Sequence, residues 1–142
     1  MEPGQDREIA ALTLNSYVHI FFGVNMNKYI DLAYEEALVS YNNNEVPVGA
    51  VIIKNNKVLS KAHNLSYSEG INSHAEIIAI NEAIKINKDW RLNDCEMYVT
   101  LEPCPMCAGA IIQSRIKKIS IFKQKIYNFY LSFLFKKFRY NF

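Results

Sequence analysis

No acidic residue follows Glu102 in this chain of 142 residues, whereas residues 1–102 carry all fourteen. Eight basic residues accompany those acids and eight more lie in residues 103–142, so a net charge of +2 conceals −6 followed by +8. A basic C-terminal segment attracts a polyanion such as RNA, or is a biased tail with no partner; composition leaves both open. The chain also lacks any run of 18 apolar residues, which argues against a membrane-spanning helix and against a membrane partner. Its first 25 residues have neither the basic start nor the small-residue cleavage site of a secretory signal. Cysteine is scarce and odd in number: there are three, two of them in one Cys-x-x-Cys pair. That favours a reducing, cytoplasmic compartment and metal ligation over a disulfide framework.

What is present suffices for one domain, since half of the residues are apolar and the length suits a single core. From Ile30 the positions Ala33, Tyr34, Ala37, Leu38 and Tyr41 recur at three- and four-residue steps, which predicts an amphipathic helix capped by Asn27 and ended by Asn42-Asn43-Asn44. Val46 to Ile53 is rich in β-branched residues and reads as a strand, joined through a tight turn at Asn55-Asn56 to a second strand, Lys57 to Ala62. A helix is expected from about His74 to Asn87, with Ile77, Ile80, Ala83 and Ile84 as its apolar face. A strand from Glu96 to Leu101, a helix from Pro105 to Ser114 and a strand from Ile116 to Phe122 follow. Strands alternating with helices imply an α/β layered domain, its first two strands antiparallel. Residues 122–142 hold 9 of the chain's 18 aromatics, and the apolar run Ile126 to Phe135 reads equally as a buried helix, an interface helix or a membrane-surface segment.

The chemistry is concentrated in two segments. Ser73-His74-Ala75-Glu76 offers an imidazole and a carboxyl two residues apart, and Thr100-Leu101-Glu102-Pro103-Cys104-Pro105-Met106-Cys107 offers two thiols. Neutral imidazole and thiolate both suit Zn2+, and three protein ligands leave a fourth position for water. His74, Cys104 and Cys107 supply that count, zinc brings the pKa of its water down, and Glu76 is placed to carry protons. Both cysteines fall at the start of a helix, whose positive dipole end favours thiolates. Ser73-x-x-Glu76 also fits a capping box, but a cap would leave the cysteines unexplained. Cys95 reads as a core residue, and neither His19 nor His63 has neighbours that would make it a ligand. H-x-E followed at a distance by P-C-x-x-C is the pattern of zinc-dependent nucleobase deaminases.

Glu45-Val46-Pro47-Val48-Gly49-Ala50-Val51, His74-Ala75-Glu76 and Thr100 to Ala110, continuing through Ile111-Ile112-Gln113-Ser114-Arg115-Ile116, resemble the bacterial tRNA-specific adenosine deaminases. The likeness covers roughly residues 27–122. It implies a cytidine deaminase-like layered domain with a central mixed sheet flanked by helices. It also implies hydrolysis of adenosine to inosine at the wobble position of a tRNA anticodon loop. By that resemblance His74, Cys104 and Cys107 bind zinc, Glu76 shuttles protons, Asn64 contacts the target base, and the enzyme is a homodimer.

After Phe122 the resemblance stops. Residues 1–25 read as an N-terminal extension with Met26 as the natural start, 26–122 as the deaminase domain, and 123–142 as an atypical basic aromatic tail. A changed reading frame or gene decay is the hypothesis that the tail's composition motivates, and it fails if no family-like end appears in another frame downstream. Two other functions stay open: a free-base or nucleotide deaminase acting on cytosine or guanine, and a decayed, non-catalytic RNA-binding protein.

Overall fold

The computed structural model describes residues 27–123. The expected N-terminal extension, Met26 and the aromatic tail beyond Lys123 lie outside the described residues.

Helix α1 (Lys28–Asn42) starts where Asn27 accepts a hydrogen bond from the Tyr29 N–H through its side chain, 2.9 Å, as its cap position anticipates. It turns Tyr29, Ile30, Ala33, Ala37 and Ser40 inward. Tyr41, expected on that face, is exposed; Ser40 is buried instead because its hydroxyl donates to the Asn64 carbonyl at 2.7 Å. Strand β1 (Gly49–Lys54) and strand β2 (Lys57–His63) form a hairpin whose two turn residues, Asn55 and Asn56, both have positive φ. That is the conformation a two-residue hairpin demands and asparagine tolerates. β1 begins three residues later than its β-branched run suggests: Pro47 has no N–H for a ladder, and the Val48 N–H bonds back to Val46 O.

A four-residue helix that the sequence reading passes over, α2 (Ser66–Glu69), leads to α3 (Ala75–Asn87). The buried stripe of α3 is Ala75, Glu76, Ala79, Ile80 and Ala83; it keeps Ile80 and Ala83 of the expected face, while Ile77 and Ile84 are only half-buried. Alanines let the helix lie close to the sheet, while Ile78 and Ile84 pack at its flanks. Strand β3 (Cys95–Leu101), helix α4 (Pro105–Gln113) and strand β4 (Lys118–Lys123) complete the described chain. β4 starts at Lys118 and not Ile116 because Arg115 adopts positive φ and the Ile116 N–H still bonds to Ile111 O.

The sheet order is β2-β1-β3-β4, with β1 antiparallel to both neighbours and β3 parallel to β4. It is a mixed sheet flanked by helices. Ala50, Ile52, Met97 and Val99 face the core shared with α3 and α4, while Val51, Ile53 and Tyr98 meet α1. Burial on both faces explains why β1 reads as an unbroken apolar run. Gly49 lets α1 sit tightly on β1: a Cβ there would fall 1.8 Å from the Ala33 carbonyl oxygen.

Candidate active site

Two helix starts meet where β1 begins and β3 ends. His74 is the N-cap of α3 and Cys104 the N-cap of α4, and neither side chain makes a capping bond. Glu76 and Cys107 lie within the first turns of these helices, so chain segments 28 residues apart converge. Because His74 and not Ser73 is the cap, a capping box does not describe Glu76.

His74 Nδ1 lies 3.5 Å from Cys104 Sγ and 3.4 Å from Cys107 Sγ. The three donor atoms all fall within 4.8 Å of one another. Ordinary Zn–N and Zn–S bond lengths at a tetrahedral angle put nitrogen and sulfur donors roughly 3.5 Å apart, so the cluster has the dimensions of a zinc site. Cys107 is fully buried, and its thiol donates to Glu76 Oε2 at 3.6 Å. The thiol of Cys107 and the imidazole of His74 bring the Cys104 pKa down to about 4, while Cys107 is pushed up by sharing its proton with Cys104 and by burial. Burial also raises the Glu76 carboxyl above the usual carboxylate range.

Beside this cluster is a pocket of about 90 Å³ lined by Val46, Val48, Asn64, Ser66, His74, Glu76, Leu101, Glu102 and Cys104. Asn64, buried at the end of β2, donates through Nδ2 to Val46 O (3.2 Å) and to Ser66 Oγ (3.0 Å). His74, Glu76, Cys104 and Asn64 therefore share one cavity, with Cys107 directly behind it. His63 stands apart, its Nδ1 paired with Glu36 Oε2 at 2.7 Å, and Cys95 is buried in the core; His19 lies outside the described residues. The sequence reading missed Ser66 and Glu102 as pocket walls. Glu102 sits inside the quoted Thr100 to Ala110 segment, which was a signal; Ser66 lies on the unread α2 and had none.

Comparison with known proteins gives this geometry a lineage. Residues 23–123 match the family model of the cytidine and deoxycytidylate deaminase zinc-binding region. The chain is 46% identical over 92 residues to a tRNA-specific adenosine deaminase of Bacillus subtilis, which covers 64% of this chain and 57% of that protein. It thus spans less than two thirds of that relative's length. A structure from a study of A-to-I editing by tRNA:A34 deaminases at the wobble position of transfer RNA superposes with a TM-score of 0.67 at 35% identity, covering 69% of this chain and 76% of the other. Guanine deaminase from Bacillus subtilis superposes with a TM-score of 0.68 at 31% identity, covering 80% and 76%. The cofactor of this fold is zinc, and the His/Cys/Cys donor set fits it. The chain belongs to the zinc-binding cytidine and deoxycytidylate deaminase family.

Proposed function

We propose that this chain hydrolyses adenosine to inosine at the wobble position of a tRNA anticodon, with His74, Cys104 and Cys107 holding zinc and Glu76 moving protons. The observation that carries the reading is a buried carboxyl 3.6 Å from one of three converging metal donors, beside a pocket of about 90 Å³, in a chain this similar to a tRNA-specific adenosine deaminase. His74, Cys104 and Cys107 would hold the zinc, which would supply Lewis acidity and so make water a better nucleophile near neutral pH.

Glu76 does the rest of the proton work. Its carboxyl takes a proton from the attacking water as the oxygen bonds to C6 of adenine, and passes it to ring N1. Glu76 then carries the remaining proton of the C6 hydroxyl to the exocyclic amine, so that the C6–N bond breaks, the C6 carbonyl forms and ammonia leaves. Burial raises the proton affinity of the Glu76 carboxyl, as suits a group that accepts a proton and returns it. Asn64 has both amide hydrogens committed to Val46 and Ser66, which leaves its Oδ1 to accept a bond from the substrate. Enzymes that act on a base reach its ring atoms by taking it out of the stack, and the pocket beside Glu76 is where such a base would sit.

The same proposal places the deaminase domain at residues 26–122, an extension before it and a basic tail after it, in a cytoplasmic homodimer whose subunits share the anticodon loop. The likeness to guanine deaminase supports a second reading, release of ammonia from a free base. Purified protein loaded with zinc is offered an anticodon stem-loop, free guanine and free cytosine, with Glu76→Ala as control. Inosine in the RNA alone is the expected outcome. Ammonia from a free base would move the assignment to the second reading, and RNA binding without turnover would leave a non-catalytic protein.

A further inference from the structure

Helix α2 has no buried residue and only four positions, so packing does little to hold it, and its own backbone bonds are Glu69 N–H to Leu65 O and Gly70 N–H to Ser66 O. Its N-cap, Leu65, makes no side-chain capping bond. The first-turn N–H groups are met from elsewhere in the chain: Tyr67 N–H donates to Glu45 Oε2 at 2.8 Å and Ser68 N–H to Glu45 Oε1 at 3.0 Å. Glu45 itself is buried and stands three residues past the end of α1, where its N–H bonds to Ser40 O. The next residue, Val46, gives its carbonyl to Asn64 Nδ2, and Ser66 on α2 accepts the other bond from the same nitrogen.

We propose that Glu45 is a positioning residue for the substrate pocket: by clamping the first turn of α2 it holds Ser66 against Asn64, and so sets the direction in which the Asn64 amide meets the base. Glu45 does not line the pocket, and it acts through Ser66 and Asn64. A carboxylate suits the task because it can accept from two backbone N–H groups at once and carries the charge that a helix start attracts. An amide of the same shape accepts at only one end.

The activity readout rests on the adenosine deaminase reading, so the test carries a second arm that does not. In the zinc-loaded full chain, amide hydrogen exchange at Tyr67 and Ser68 is compared between wild type, Glu45→Gln and Glu45→Ala, with α3 as internal reference. Faster exchange at those two amides, with α3 and zinc content unchanged, is expected; unaltered exchange would overturn the clamp whatever the enzyme does. On a wobble-adenosine stem-loop, Glu45→Ala should lower kcat/KM by about tenfold or more, with Glu45→Gln intermediate. In an Asn64→Ala background the same change should cost less than twofold, because the residue through which it acts is gone. Fully multiplying losses, or wild-type turnover by Glu45→Ala, would refute positioning. If the wild type forms no inosine at all, the functional reading fails while the exchange arm still judges the clamp.

Discussion

Four side chains, His74, Cys104, Cys107 and Glu76, divide the proposed chemistry so that losing a zinc donor and losing the proton carrier leave different signatures. Glu76→Ala should retain zinc, because the carboxyl is not among the three converging donors, yet lose turnover by about 100-fold or more, the usual scale for a positioned proton carrier. Metal analysis beside single-turnover kinetics checks both halves; loss of zinc in this variant would recast Glu76 as a ligand. Cys107→Ala should do the reverse and reduce zinc occupancy, since a site with two donors no longer closes around the ion. Retention of one zinc per chain would contradict that role. These four residues were legible in the sequence because their chemistry is written in short-range spacing: His-x-Glu on one segment and Cys-x-x-Cys on the other. Glu45 carried no such mark. It makes its contacts across 22 and 23 residues, to backbone groups that any sequence would offer.

At the level of elements, most boundaries follow local rules, and the exceptions follow tertiary ones. Asn27 and the Asn55-Asn56 pair were readable because capping and positive φ select for side-chain type. The apolar face of α3 was readable only in part, because close approach to a sheet rewards alanine over isoleucine and periodicity weighs only hydrophobicity. The four residues of α2 have too short a span to show a period. The meeting of α1 and β1 supplies a sharp test: Gly49→Ala drives a methyl into the Ala33 carbonyl, and destabilisation of about 1–3 kcal/mol is expected from chemical denaturation. An unchanged midpoint would mean that α1 can shift away without cost. The Glu45 link to α2 gives a pH signature as well. Burial alone would raise this carboxyl, but the Ser68 and Tyr67 bonds, with His63 nearby, bring it below the ordinary carboxylate value. A depressed folded-state pKa contributes stability above the unfolded value, near 4.3, and loses it as pH falls through the folded one. Stability of Glu45→Gln should therefore fall less steeply than wild type on acidification below about pH 5. Parallel acid limbs for the two proteins would rule this out.

For the molecule as a whole, zinc is a ligand of the folded state, and removing it should be felt as lost stability as well as lost activity. Chelation is expected to lower Tm by about 10 °C or more, with recovery on adding zinc back, as binding linkage for a small domain requires. Equal melting with and without chelator would show that the cluster holds together without a metal. An α/β layered domain with its first two strands antiparallel was readable from the alternation of strands and helices, and the mixed sheet flanked by helices from the family resemblance. The direction of β4 was not: a parallel neighbour for β3 is set by the crossover of α4, which no single segment records.

The separation of His74 from Cys104 by 30 positions has a further consequence. A metal bound at both ends turns the intervening chain, which contains α3 and β3, into a closed ring, as a covalent cross-link would. An open chain keeps the freedom of a loop that long, and closing it removes conformations from the unfolded ensemble and none from the native one. The residues assigned to catalysis would thereby also act as a reversible staple, tying the helix that carries the acid to the helix whose start carries the thiols.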